Sequence, residues 1–418
     1  MREMKDSGIE WAGVIPNAWN INKGKYFMEL LTRPTLETDE VITCFRDGEV
    51  TLRSKRREEG FTVSLTEAGY QGIEIGDLVV HGMDGFAGSI GISDSRGKAT
   101  PVLNVLDTEQ NKRYMMYLMR TMAYCELFLS LATGIRVRTC DTNWKKLREI
   151  DYILPTIPEQ KAIADFLDNE CDELNTLISD LQSQIETLEE YKRSVITEAV
   201  TKGLDPDVEM RDSGVEWIGS IPKHWKVDNP KWHFVQRKDR ATKGLTQLTA
   251  SQKYGVVTQE EYMEITGAKV VTVEKDFDIL KLVCPGDFII HMRSFQGGLE
   301  YSEKYGSISS AYVMLIPQKT ILEPRYYKWF FKSPVYIDAL SSTTNLIREG
   351  QAMRYANFIQ LPIILMPEAE QRAIADYLDE KCTEIDSIIS EKKRQIETIE
   401  EYKKSLIFEY VTGKREVG

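Results

Sequence analysis

The chain repeats itself, and this constrains its fold more than any single motif. Residues 4–19 read MKDSGIEWAGVIPNAW and residues 210–225 read MRDSGVEWIGSIPKHW. Residues 159–202 and 370–413 form a second pair of blocks, identical at about 25 of 44 positions. Self-similarity of this kind has to be resolved before any shorter motif is weighed. Between the blocks lie residues 20–150 and 226–365, nearly equal in length and almost unrelated. Their faint matches include Gly76-Asp77-Leu78-Val79-Val80-His81 against Gly286-Asp287-Phe288-Ile289-Ile290-His291. The order is opening motif, variable domain and long block, then the same again. Drift after duplication explains divergent inserts but not why the long blocks stay alike; a shared partner surface on those blocks would.

The second repeat stops soon after Val411-Thr412-Gly413-Lys414, whereas the first runs through Val200-Thr201-Lys202-Gly203-Leu204 into another opening motif. The continuation missing from the second repeat is found at the N-terminus. If the two long blocks lie antiparallel, the chain is pseudo-circular, with its ends close together.

The long blocks read as helices. Leu167, Cys171, Leu174, Ile178, Leu181, Ile185, Leu188 and Val195 follow alternating steps of four and three, with Lys192 in the one gap. The second copy gives Leu378, Cys382, Ile385, Ile389, Ile396, Ile399 and Leu406, interrupted by Lys392 and Lys403. This is a heptad seam. Pro158 and Pro367 fit the helix starts, and Gly203 and Gly413 fit the ends. From Leu167 to Val200 such a helix rises roughly 50 Å, about one and a half turns of B-DNA. Paired antiparallel, two such helices make a rigid spacer; a plain dimerisation stalk would show the same seam. The lysine breaks and the wider apolar face (Ile163 and Phe166) point to more than two helices packing here, so partner helices join.

The variable domains read as mixed α/β. Short β-type runs (Ile73–Val80, Val270–Val273, Phe288–His291, Tyr312–Ile316) are bounded by Gly, Asp and Pro. A helical stretch follows in each, Tyr114–Leu131 and Pro324–Ser341. A basic loop comes next: Gly134-Ile135-Arg136-Val137-Arg138 with Lys145 and Lys146 in the first domain, and Asn345-Leu346-Ile347-Arg348-Glu349-Gly350 with Arg354 in the second. Arginine suits phosphate contact and bidentate bonding to guanine edges. Any one of these residues alone reads as a solvated charge, but as a loop at the same point of both repeats they are candidate nucleic-acid contacts. Arg53-Ser54-Lys55-Arg56-Arg57 runs straight into Glu58 and Glu59, so a surface loop suits it equally well. The turns Gly85-Phe86-Ala87-Gly88 and Phe295-Gln296-Gly297-Gly298 follow the Gly-Asp strands, the second with Arg293 just before it; they either approach a ligand or simply turn. The aligned His81 and His291 read as structural.

Net charge is −12 in 418 residues, which argues against a nucleic-acid binder until it is divided. Residues 20–150 hold 18 basic and 18 acidic side chains, and residues 226–365 hold 18 and 14. The remaining segments therefore carry a net charge of −16. The acid sits in helices and linkers, and the variable domains are relatively basic. Six cysteines without a CxxC pair and four scattered histidines argue against a zinc site or disulfide framework. No apolar run approaches a membrane span. The charged opening Met1-Arg2-Glu3-Met4-Lys5 is not a secretory leader. The compartment expected is the cytoplasm.

The opening motif SG-[IV]-EW-x-G-x-IP-x-x-W, the junction Pro158-Glu159-Gln160 with its copy Glu370-Gln371, and the repeated helix resemble the specificity subunits of type I restriction–modification enzymes. The resemblance covers the whole chain. One departure is Pro367-Glu368-Ala369-Glu370-Gln371, where two extra residues follow the proline, and a shifted helix start is expected there. The glycine of the first Gly-Ile-Arg loop has no exact match in the second domain, so the two loops correspond only approximately. The resemblance implies an α+β pseudo-twofold tandem repeat: a first target-recognition domain over 1–155, a spacer helix over 156–203, a second such domain over 204–366 opening with a linker at 204–225, and a closing helix over 367–418. Each domain would read one half of an interrupted double-stranded DNA target. The helices would set the gap and dock two methyltransferase subunits, with restriction (translocase) subunits joining. The candidate DNA contacts are Arg136, Arg138, Lys145, Lys146, Arg293, Arg348 and Arg354. The candidate seam and docking residues are Leu167, Leu174, Ile178, Leu181, Ile185, Leu188, Leu378, Ile385, Ile389, Ile396 and Ile399.

No catalytic motif stands out. A methyltransferase needs an Asn/Asp-Pro-Pro-aromatic motif and a glycine-rich cofactor loop, and Gly85-Phe86-Ala87-Gly88-Ser89-Ile90-Gly91 has the wrong spacing. There is no GxxxxGK[ST] loop for ATP. The chain is expected to be a non-catalytic subunit without a cofactor, with AdoMet, ATP and Mg2+ on its partners. Scattered acids beside lysine, as in Asp276–Lys281, do not make a nuclease site; a protein-interaction scaffold is the alternative, and a nuclease with an unrecognised carboxylate site is a third reading.

Overall fold

In a computed structural model of the chain, residues 2–56, 67–131, 142–270, 279–291, 293–343 and 353–417 are described. The chain divides into two units, Met1–Leu181 with Lys393–Gly418, and Gln182–Lys392. Each long helix therefore gives its first half to one unit and its second half to the other.

In the first unit, strands β1 (Met28–Leu30), β2 (Leu78–His81), β3 (Ile90–Ile92) and β4 (Leu103–Thr108) form an antiparallel sheet in the order β1-β4-β2-β3. Leu78 pairs with Leu106 on one side and Ile92 on the other. Strand side chains alternate between faces. Leu78 and Val80 join a core with helix α1 (Lys112–Tyr124), while Val79 joins a second core with the hairpin Ile42–Cys44/Val50–Leu52. Both faces are covered, which is why the strand is apolar at three successive positions.

The flanking residues of the same motif act locally. Gly76 turns the chain at φ +85°, a conformation that glycine adopts without a Cβ penalty. Asp77 accepts the Glu74 N–H at 2.8 Å and pairs with Arg33. The expected run Ile73–Val80 is thus two strands, Gln71–Ile73 and β2, with this turn between them.

The long helix α2 (Ile157–Lys202) starts in the first unit. Pro158 sits inside its first turn rather than before it, where the missing N–H costs nothing. Trp19, which closes the opening motif, is buried and donates its indole N–H to Glu159 at 3.0 Å. Gln160 accepts from the Asn111 N–H at 3.0 Å and donates to Pro155 O at 3.0 Å, tying the helix start to the start of α1. Arg113 of α1 pairs with Asp165 and Asp168.

The second unit repeats this with different residues. Strands β5 (Phe234–Gln236), β6 (Phe288–Ile290), β7 (Glu300–Tyr301) and β8 (Val313–Pro317) take the order β5-β8-β6-β7. Phe288 and Ile290 face one core; Ile289 faces the other with the hairpin Leu248–Ser251/Gly255–Thr258. Gly286 has φ +93°, and Asp287 accepts the Cys284 N–H and two Arg237 N–H groups at 2.8–2.9 Å. The expected helix Pro324–Ser341 is two helices, α3 (Pro324–Phe330) and α4 (Pro334–Ser342), because Pro334 cannot continue the first and instead opens the second. Likewise α1 ends at Tyr124, short of Leu131, before Glu126 turns left-handed at φ 59°.

The second long helix, α5 (Glu368–Val411), begins in this unit. Trp225 donates to Glu370 at 2.8 Å, Gln371 accepts the Glu323 N–H at 3.2 Å and donates to Met366 O at 2.9 Å, and Arg325 pairs with Asp376 and Asp379. The helix start is not shifted by the two extra residues: Ile157 and Glu368 hold equivalent places, because the glutamine tie fixes the first turn.

Each unit also contains the tail of the other long helix. In the first, Leu406, Ile407, Tyr410 and Val411 pack with Ile163, Leu167, Cys171 and Trp19. Phe166 faces Tyr410 at 4.5 Å between ring centroids, and Lys403 donates to Asn175 at 2.6 Å, so the segments run antiparallel. In the second, Val195, Ile196, Ala199 and Val200 pack with Ile374, Leu378, Cys382 and Trp225. Lys392 donates to Gln184 at 2.5 Å, and Lys192 pairs with Asp386 at 2.6 Å. The lysines that break the heptad are met by polar partners across the pair, which fixes register. Cys171 and Cys382 are buried at matching places, and burial pushes the Cys382 thiol up to about 11 and the Cys171 thiol up as well. Among the described residues no helix is long and apolar enough to cross a membrane.

Both long helices stop at a left-handed glycine, Gly203 at φ +79° and Gly413 at φ +69°. A Cβ on Gly413 would lie 2.5 Å from Pro16 and 2.8 Å from Trp19; one on Gly203 would lie 3.2 Å from Trp225. Gly203→Ala should therefore cost about 1–2 kcal/mol, the left-handed penalty alone. Gly413→Ala should cost about 2–4 kcal/mol through added overpacking. Unfolding midpoints in urea check the order, and equal midpoints would contradict it.

Candidate functional site

In the first domain the hairpin and the turn after the Gly-Asp strand enclose a cleft of about 350 Å³ lined by Thr43, Arg46, Arg53, His81, Asp84 and Thr100, among others. His81 Nδ1 accepts the N–H groups of Met83 and Asp84 at 3.2 and 3.0 Å, fixing the turn. Met83 is 53% exposed at its tip. Arg46 reaches Asp84 at 2.9 Å, and Arg53 donates to Thr43 Oγ1 at 2.9 Å.

In the second domain His291 Nδ1 accepts the Arg293 N–H at 3.2 Å. The hairpin tip closes on the same turn, with Gln252 Nε2 donating to Arg293 O at 2.9 Å. Lys253 lies over the Tyr254 ring, 5.2 Å from its centroid. Both histidines are structural, as their sequence context indicated. Burial lowers the His81 pKa. Burial first, then Lys332 and Arg293, lowers that of His291 to about 4. Among the described residues His291 Nε2 is buried without a hydrogen-bond partner, 3.8 Å from Glu300, which pairs with Lys332 and whose own carboxyl is pushed up by burial.

The residues singled out in sequence fall unevenly. Arg136, Arg138 and Arg348 lie outside the described residues, as does most of the run Val270–Val273. Lys145 is exposed on the short helix Trp144–Leu147, whereas Lys146 spends its ammonium on Leu131 O at 2.6 Å. Arg293 and Arg354 are exposed, and the Arg354 N–H is tied to Asn357 Oδ1 at 3.1 Å. The run starting at Arg53 is held within its own domain, Lys55 by Asp94 and Arg56 by Asp47 and Glu49.

The seam residues pack inward. Leu167, Leu181, Ile185, Leu378, Ile385 and Ile389 are buried, and Leu174, Ile178, Leu188, Ile396 and Ile399 half-buried. The heptad reading did not separate out a second, outward face: Leu177 and Tyr402 in the first unit and their counterparts Ile388 and Tyr191 in the second are 40–51% exposed. Their repetition at matched positions was the available signal.

No protein-family model matches the chain. A curated relative from Methanocaldococcus jannaschii, named as the MjaX specificity subunit of a type I restriction enzyme, is 24% identical over 320 residues, covering 75% of this chain and 71% of the relative. A solved chain from a study of assembly and conformational transition in a type I R-M system aligns over 96% of this chain and 99% of its own length, with a TM-score of 0.68 at 11% identity. The chain is thus similar in sequence to a type I specificity subunit and shares its fold with a solved chain of a type I R-M system. The HsdS subunit from Thermoanaerobacter tengcongensis aligns over 96% of this chain and 98% of its own, with a TM-score of 0.48 at 12% identity. In both domains the junction of hairpin and post-histidine turn is a place where the repeated scaffold carries unlike side chains.

The His291 pKa of about 4 makes stability depend on pH. Between pH 6.5 and about 4 the unfolded chain binds a proton that the folded chain refuses, so stability falls as pH falls through that window. Glu300 titrates in the opposite sense and is common to wild type and variant. His291→Asn, which keeps an acceptor for the Arg293 N–H, should remove close to one proton of this dependence. Parallel slopes for the two proteins in denaturant titrations across that window would contradict it.

Proposed function

We propose that this chain is the DNA-recognition subunit of a type I restriction–modification complex, each domain reading one half of a bipartite target. The observation that carries this is one scaffold built twice with unlike side chains at the turn two residues beyond the matching histidine: Met83 in one domain, Arg293 in the other. A recognition protein needs a constant frame and variable contacts, and unlike contacts give an asymmetric target. The relatively basic domains supply the phosphate affinity, which makes binding salt-sensitive.

The long helices act as the spacer. Their antiparallel pairing through polar-tied seams resists sliding, so the gap between half-sites is a property of helix length. The outward pairs Leu177 with Tyr402 and Ile388 with Tyr191 supply two matched apolar surfaces, one per unit, for two methyltransferase subunits; restriction subunits join through these. Catalysis, and with it AdoMet, ATP and Mg2+, belongs to the partners. A protein-interaction scaffold would use the same outward pairs but has no use for diversified clefts.

Removing one helical turn from both long helices shortens the frame by about 5.4 Å. The gap in the target should shorten by about one or two base pairs with the half-site bases unchanged, read by mapping methylated sites in cells carrying the complex. An unchanged gap in an active complex would contradict the spacer role. Exchanging residues 20–150 for another such domain should change one half-site only.

A further inference from the structure

We propose that the junction of hairpin and post-histidine turn is the base-reading site of each domain, a proposal that rests on the DNA-recognition role. In the second domain Arg293 reads a guanine while Lys253 holds a phosphate beside it.

Arg293 is exposed, yet its backbone is held on both sides. Its N–H goes to His291 Nδ1 at 3.2 Å, and its carbonyl accepts from Gln252 Nε2 and from the Gln296 N–H, each at 2.9 Å. Two glycines make the seat possible. A Cβ on Gly297 would lie 2.7 Å from Gln252 Cγ, and one on Gly298 would lie 2.0 Å from Phe331 O. The hairpin tip and the turn are therefore locked together, and the guanidinium projects from a fixed point.

Its surroundings leave it available. Among the described residues no carboxylate pairs with Arg293, whereas Arg33, Arg56, Arg96, Arg113, Arg237 and Arg325 all do pair. A rigidly mounted fork without an acidic partner fits the O6 and N7 acceptors of guanine. Lys253, exposed at the hairpin tip, is a point charge on a flexible stem and suits a phosphate. The first domain places Met83 where Arg293 stands, two residues beyond the matching histidine. A thioether there donates no hydrogen bond and accepts only weakly, so the two domains offer different chemistry at one place in the fold. Gln252 is a positioning residue: it touches Arg293, and its loss acts through Arg293.

The test uses the complete complex with its methyltransferase partner and measures binding to the mapped target and to duplexes changed at each base pair. With Arg293→Ala, discrimination at one G·C pair of one half-site should fall about 10- to 100-fold, with the other half-site and the gap unchanged. Arg293→Lys should lose most of it too, since the ammonium lacks the fork. Lys253→Ala should weaken binding to all duplexes alike and lower the salt-dependence slope by about one. Gln252→Ala should blur the same base pair as Arg293→Ala, more mildly. Uniform weakening by Arg293→Ala with preferences intact, or no change at all, would overturn the assignment. A wild-type complex without sequence preference would instead sink the DNA-recognition role itself.

Discussion

In each unit an indole N–H, buried in apolar surroundings, donates to the carboxylate that opens a long helix: Trp19 to Glu159, Trp225 to Glu370. Everything else in the frame is arranged around that contact. The ring is packed by the tail of the other long helix and by the glycine that ends it. The carboxylate is further held by Arg2 in the first unit and by His224 at 2.7 Å in the second. Neither the opening motif nor the helix start is stable alone: a short hairpin has almost no core, and helix ends leave unpaired backbone groups. Joined, they close a core to which the variable domain is then attached by glutamine and arginine ties. The domain's interior can drift as long as those ties remain.

That division explains what the sequence disclosed. The long helices, their glycine ends, the opening motif and the apolar strand of the Gly-Asp motif were legible because each depends on residues close in the chain or repeated outright. The division at Pro334 was available in the sequence, since a proline cannot continue the helix before it, whereas the break at Glu126 has no such local signal and the tertiary core decides where that helix turns. The cleft was not legible at all. Its walls in the first domain come from residues near 43–53 and 81–84, and the matching junction in the second ties Gln252 to Arg293, each brought together only by non-local pairing.

Charge density proved a poor guide to availability. The basic cluster starting at Arg53 read equally well as a surface loop, and its members are bound to Asp47, Glu49, Asp94 and Thr43. Arg293, an isolated residue in the sequence, has its backbone clamped and its side chain free of carboxylates among the described residues. Which arginine is spent and which is ready depends on acids many residues away, and only the fold shows them. The seam was easier to read. Its lysines marked the polar layers, and the structure supplies their partners, Asn175 for Lys403 and Asp386 for Lys192.

Cys171 and Cys382 occupy matching depths in the two units, each shielded by the joint of helix head and helix tail. A thiol so placed is inert until that joint opens, since the protonated, buried form is a poor nucleophile. The chain thus carries one built-in clock per half. The rate at which a labelling reagent reaches each sulfur reports how often that half breathes, and the two rates together tell whether the halves open independently or as one.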